Sequence, residues 1–161
     1  MSRYLLFDLD GTLTESGEGI IRSVQYALEK MGKPETDVQK LRSFIGPPLI
    51  PQFMSFSGMT REEAGQAVQF YRERYSTTGV FENRPYPGIP EMLQTLTDRG
   101  YVLSVASSKP EHYVRQILEH FGLTPFFHEI VGATMDEKRT EKADVIEEAL
   151  KRLGRDSLLM E

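Results

Sequence analysis

The chain has no cysteine, which excludes disulfide cross-links, thiolate nucleophiles and thiolate metal sites. It also lacks an excess of positive charge. Over 161 residues the formal net charge is −5, which disfavours a sequence-independent grip on nucleic acid or on an anionic membrane surface. No apolar run has transmembrane length, and the N-terminus enters an apolar strand pattern with neither a basic region nor a signal-type core ahead of it. Repeats and low-complexity tracts are absent too. The expectation is a soluble, cytoplasmic protein, a monomer or homodimer, with no nucleic-acid or membrane partner. With 39% hydrophobic and 27% charged residues, the chain has material for one real core and a small insert.

What is present is most informative at Tyr4-Leu5-Leu6-Phe7-Asp8-Leu9-Asp10-Gly11-Thr12-Leu13, where an apolar run delivers two carboxylates onto a Gly-Thr turn. Phosphate monoesters hydrolyse very slowly, so an enzyme gains by splitting the reaction into carboxylate attack and hydrolysis of the acyl phosphate. Asp8 suits the nucleophile. Alternate residues leaving a strand share a side, so Asp10 suits the acid that protonates the leaving alcohol and then activates water. Two carboxylates repel a phosphate dianion, which calls for a hard divalent cation, Mg²⁺, at Asp8 and Asp10. Gly11 lets the main chain come close, and Thr12 offers a hydroxyl and an N–H. A calcium loop would need further acids and a terminal Glu at fixed offsets, where Leu9, Gly11 and Leu13 stand instead.

From position 16 to about 82 the pattern is helical. Ile20, Ile21, Val24, Ala27, Leu28 and Met31 recur at helical spacing over 16–31, with Gly32 placed to end the helix. A shorter helix passes Val38 and Leu41 and stops near Gly46. Pro47, Pro48 and Pro51 then break the chain, before Thr60-Arg61-Glu62-Glu63 supplies a capping box for a helix reaching about Thr77. Phe70, Tyr71 and Tyr75 in that helix read as core. Beyond Pro85 helices and strands alternate: a helix through Ile89, Met92, Leu93 and Leu96 ended by Gly100, a strand over 101–106, a helix over 111–121, a strand over 128–131, a helix over 142–153 and the start of a strand at 157–160. This predicts an α/β fold, a doubly wound parallel Rossmann-like sheet with ligands at the carboxyl ends of its strands. Residues 1–15 and 84–161 form the core, and 16–83 an inserted helical cap over the site.

Phosphate chemistry also needs donors for the non-reacting oxygens, supplied from neighbouring strand ends. Ser107-Ser108-Lys109-Pro110 follows the second strand, making Ser107 and Lys109 candidates, although such a sequence on its own more often only starts a helix. For a lysine that neutralises the nucleophile, Lys138, Arg139 and Lys142 compete within 136–146, a kind of charge run that is usually solvated. His112, His120 and His128 do not converge on a metal site, since the first two lie about two helical turns apart.

Asp8-Leu9-Asp10-Gly11-Thr12-Leu13-Thr14 after an apolar strand resembles the first signature of the haloacid dehalogenase superfamily, and the chain is similar to its phosphoglycolate phosphatase-like branch. The resemblance implies an Mg²⁺-dependent phosphatase acting on a small phosphorylated metabolite, with Asp8 as nucleophile and Asp10 as acid and base. It further implies phosphate binding by Gly11, Thr12, Ser107 and Ser108, leaves Lys109 open, and maps the third signature to Lys142 by its spacing before the Val145-Ile146 helix. Phe44-Ile45-Gly46-Pro47-Pro48-Leu49 resembles the branch's substrate-specificity loop, so Gly46, Pro47 and the preceding Arg42 are specificity candidates. Leu158-Leu159-Met160-Glu161 looks like the first half of the strand that precedes the family's fourth signature, whose Gly-Asp turn and further acid complete the metal site. The sequence therefore reads as truncated, and the expectation is weak Mg²⁺ affinity with weak or no turnover. The rival readings are a phosphosugar mutase of the same superfamily and a non-catalytic phosphate- or partner-binding remnant.

Overall fold

The structure, a computed structural model, describes residues 3–136 and 138–154. In chain order the elements are strands β1 (Arg3–Phe7) and β2 (Thr14–Glu15), helices α1 (Gly17–Lys30), α2 (Val38–Leu41), α3 (Leu49–Ser57) and α4 (Arg61–Tyr75), strand β3 (Arg84–Pro85), helix α5 (Ile89–Asp98), strand β4 (Tyr101–Pro110), helix α6 (Glu111–His120), strand β5 (Phe127–Ala133) and helix α7 (Lys142–Arg152). The strand expected at 157–160 lies outside the described residues.

β1, β4 and β5 form a parallel sheet in the order β1-β4-β5, while β2 and β3 pair as a two-stranded ribbon. Parallel neighbours need crossover connections, and α5 and α6 lie on the two crossovers. The register sets Leu6 beside Ser104 and Ala106 beside Val131. Ala106 and Val131 meet Val145 and Ala149 of α7, with Leu6 and Ile146 packed at the margin. The helical period of Val145 and Ala149 and the strand period of Leu6 and Ala106 are thus satisfied by one core. The α/β class with a parallel sheet agrees with the expectation.

Two strands are longer than the local signals implied. β4 continues past Ala106 to Pro110, because Pro110 pairs with Ala133 across a register shift, and β5 extends from Phe127 to Ala133. Ser107, Ser108 and Lys109 therefore ride on a strand end, where a parallel neighbour overrides their preference for a helix start.

The chain divides into two compact units, residues 1–14 with 85–161, and residues 15–84. In the second, the capping box is complete: Thr60 Oγ1 accepts the Glu63 N–H at 3.1 Å and Glu63 Oε1 accepts the Thr60 N–H at 3.4 Å. α4 ends at Tyr75, slightly short of the expected Thr77. Pro51 does not break the chain, as the sequence suggested, but sits in the first turn of α3, behind the N-cap Pro48. First-turn N–H groups have no helical acceptor, so a missing one costs nothing there. Phe44 holds α3 in place, its ring 4.9 Å from Phe53 and 5.2 Å from Phe56. Tyr71 and Tyr75 are buried and stacked, whereas Phe70 is half-buried and lines a surface groove with Lys30, Met31, Gln66 and Gln69.

α1 and the turn after α4 approach closely at two glycines. A methyl on Gly19 would overlap the Gly79 carbonyl, and one on Gly79 would meet Ser23 Oγ at 2.6 Å. Backbone cannot yield as a side chain does, so Gly19→Ala is expected to cost about 3 kcal/mol despite alanine's better helix propensity. Urea unfolding measures this, and an unchanged midpoint would refute the close packing. No helix among the described residues is long and apolar enough to cross a membrane.

Candidate functional site

Asp8 stands at the carboxyl end of β1, and the next residues fold into a tight loop around one carbonyl. Leu9 O accepts the N–H groups of Thr12 (3.1 Å), Leu13 (2.9 Å) and Thr14 (3.2 Å), and the Gly11 N–H donates to Thr14 O at 2.9 Å. Gly11 takes φ +77°, a conformation a side chain would strain. Leu9 and Leu13 are fully buried and anchor the loop to the core. The main-chain donors of Gly11 and Thr12 are therefore occupied within the loop. Of the groups the sequence suggested at Thr12, only the exposed hydroxyl is left for a ligand.

Asp8 Oδ1 accepts the N–H of Leu9 at 2.8 Å and lies 3.0 Å from Lys142 Nζ. Lys142 is the first residue of α7, and its ammonium also donates to the Ala106 carbonyl on β4. A helix start thus delivers one lysine to the ends of two strands. The competing basic residues go elsewhere: exposed Lys138 approaches Asp136 at 4.0 Å, and Arg139 turns back to β5, its Nε donating to Gly132 O at 2.9 Å.

The second carboxylate has a partner that sequence reasoning left open. Lys109 Nζ lies 3.0 Å from Asp10 Oδ1, and both side chains are only 6% exposed. That oxygen has no aligned hydrogen bond, so the two groups meet as an ion pair out of hydrogen-bond line. Burial alternates along the end of β4. Ser107 and Lys109 are buried with half-buried Ser108 between them, and Ser107 Oγ accepts the Lys109 N–H at 3.2 Å.

The described residues therefore bring together two Asp–Lys pairs, one half-exposed and one buried. Arg42, Gly46 and Pro47 belong to the unit formed by residues 15–84; Arg42 and Pro47 are exposed, and Gly46 takes φ +107°. All three histidines are exposed. No group of three or more His, Cys, Asp or Glu among the described residues is placed to hold a metal. The Asp8 carboxylate and the Asp10 main-chain carbonyl are hard oxygen donors of the kind that suits Mg²⁺, an ion that keeps several waters and takes one or two carboxylates from the protein.

Comparison with known proteins bears on what this arrangement is. The profile of haloacid dehalogenase-like hydrolases matches residues 5–158, nearly the whole sequence. The chain belongs to the haloacid dehalogenase-like hydrolase family. Among curated family members, a 5'-nucleotidase of Pseudomonas aeruginosa is 48% identical over 91% of this chain and 66% of its own length. A phosphoglycolate phosphatase of Aquifex aeolicus is 32% identical over 89% of this chain and 67% of its own. A crystal structure of a predicted phosphatase from Clostridium acetobutylicum, 44% identical, superposes with a TM-score of 0.95, covering 99% of this chain and 75% of that one. The haloacid dehalogenase-like fold and the phosphoglycolate phosphatase-like relatives expected from the Asp8 signature are both found. The chain spans about half to two thirds of the length of the curated relatives it matches.

Proposed function

We propose that the chain carries the phosphoryl-transfer site of an Mg²⁺-dependent phosphatase that hydrolyses a small phosphorylated metabolite through an aspartyl phosphate. The observation that carries this reading is the 3.0 Å Asp8–Lys142 pair at the end of β1, with Asp10 two residues further on. A carboxylate oxygen of Asp8 attacks phosphorus as the ester P–O bond breaks, and the leaving alkoxide takes a proton from Asp10. Asp10, now a carboxylate, takes a proton from water, whose oxygen attacks phosphorus and releases Asp8 and inorganic phosphate. Lys142 and Ser107 hold the non-reacting oxygens, with Gly11, the Thr12 hydroxyl and Ser108 beside them. The Asp8 carboxylate and the Asp10 carbonyl would hold Mg²⁺, which would offset the repulsion of a phosphate dianion by the carboxylates. The helical unit 15–84 takes the role of the family's cap in this reading, with Arg42, Gly46 and Pro47 as its substrate-selecting residues. We place the protein in the cytoplasm, as a monomer or homodimer.

The cap decides the substrate. The 48% identity to a 5'-nucleotidase favours a nucleoside monophosphate as the first compound to try, ahead of phosphoglycolate and pyrophosphate. We expect weak turnover, because among the described residues no group of three or more His, Cys, Asp or Glu is placed to hold the ion. Assays at saturating Mg²⁺, with calorimetry of Mg²⁺ and inorganic phosphate binding, test both statements. Slow release of inorganic phosphate supports the reading, and rates typical of an efficient phosphatase overturn the expectation of weakness. Binding without any turnover would favour a non-catalytic remnant, and phosphoryl return to a hexose phosphate would favour a mutase.

A further inference from the structure

Behind the site, at the end of β5, one carboxylate gathers three arginines. Glu111, the first residue of α6, accepts the Gly132 N–H on Oε1 at 3.3 Å; the same oxygen lies 3.0 Å from Arg152 Nη1 and 3.5 Å from Arg139 Nη2. Its other oxygen lies 3.4 Å from Arg115 Nε. The Glu111, Arg139 and Arg152 side chains are 24%, 21% and 27% exposed, so solvent screens them less than it does ordinary surface pairs. The arginines also satisfy main-chain carbonyls: Arg139 reaches Gly132 O at 2.9 Å, and Arg152 reaches Ile130 O at 3.3 Å. A side chain at position 132 would overlap the Glu111 main chain and the Lys109 carbonyl, so glycine there lets Glu111 sit against β5.

Arg139 and Arg152 flank Lys142. Arg152 ends the helix that Lys142 begins, and Arg139 lies in the loop just ahead of it. That loop is closed by Thr134 N–H to Arg139 O at 2.8 Å and Arg139 N–H to Thr134 Oγ1 at 3.0 Å. One carboxylate therefore fastens both sides of the segment that carries Lys142 to Asp8. A lysine side chain is long and flexible and has no planar fork to direct it, so its placement depends on where its backbone is held.

We propose that Glu111 is a positioning residue for Lys142: by drawing Arg139 and Arg152 onto β5 it sets where the Lys142 ammonium meets Asp8. The proposal rests on the reading of Lys142 as the lysine that holds phosphate. It is tested without turnover by acetylating the 161-residue chain with N-hydroxysuccinimidyl acetate and reading each lysine by peptide mass spectrometry, with Lys30 as the internal reference. Glu111→Gln is expected to raise Lys142 labelling about threefold relative to Lys30, a modest loss of hold on the ammonium. Ile117→Val, in the buried face of the same helix but outside the cluster, controls for general destabilisation and is expected to leave the ratio unchanged. An unchanged ratio in Glu111→Gln, or an equal rise in both variants, overturns the proposal. Protection of wild-type Lys142 by inorganic phosphate reads the underlying assignment separately, so positioning and phosphate holding can fail independently.

Discussion

Asp8→Asn is expected to abolish covalent phosphoryl transfer to the chain and to reduce hydrolysis of 4-nitrophenyl phosphate by about 10⁴-fold or more, while changing unfolding free energy by less than about 1 kcal/mol. On the proposed mechanism the catalytic loss follows from removing the attacking atom, since an amide oxygen is a poor nucleophile. The small effect on stability follows from the geometry. The Asp8 and Lys142 side chains are 37% and 42% exposed, water competes for both charges, and asparagine still offers an oxygen to the Leu9 N–H. Intact-protein mass spectrometry after exposure to acetyl phosphate reads the covalent step even where turnover is slow, and urea unfolding reads stability. Retained phosphorylation in the variant would remove Asp8 from the nucleophile's role. Lys142→Met should act more mildly, by about 10²- to 10³-fold, because it takes away charge stabilisation and not the bond-forming group.

What could be read from the sequence divides by the range of the interaction. Thr60 and Glu63 satisfy one another within a single turn, so the capping box was legible from neighbours alone, whereas the closing of the Asp8 loop on the Leu9 carbonyl, which takes up the Thr12 N–H, was not. The strands of β1, β4 and β5 showed as apolar runs, but their ends did not. Pro110 pairs with Ala133, a partner distant in sequence, and local signals at Ser107 to Lys109 point to a helix start instead. Pro51 departs from the sequence expectation for a related reason. Whether proline breaks a helix or opens one depends on where the helix begins, and packing against Phe44 decides that. Lys142 could be told from Lys138 and Arg139 only by family resemblance, because charge and helix propensity are nearly the same for all three. The partnership of Lys109 with Asp10 joins two strand ends through space, and no local rule reports it.

That partnership gives the second large effect. Asp10→Asn is expected to lower stability by about 3 kcal/mol, well beyond the effect of Asp8→Asn, because it removes the carboxylate that the Lys109 ammonium meets at 3.0 Å in a site where each side chain is 6% exposed. Lys109→Met removes the cation that faces the Asp10 carboxylate and should also be costly. The double variant Asp10→Asn/Lys109→Met places groups of similar size with no net charge in the same volume and should recover most of the loss, since a buried ion pair contributes little over its neutral replacement. A double-mutant cycle in urea should therefore show about 2 kcal/mol or more of coupling between the two positions. Additive losses of less than about 1 kcal/mol each would show that water reaches the pair and that its burial is not as described. The comparison also fixes how activity data must be read. An inactive Asp10 variant reports unfolding and lost acid catalysis together, whereas an inactive Asp8→Asn reports chemistry, so the roles of the two carboxylates are separable only when each activity is set against its own unfolding curve.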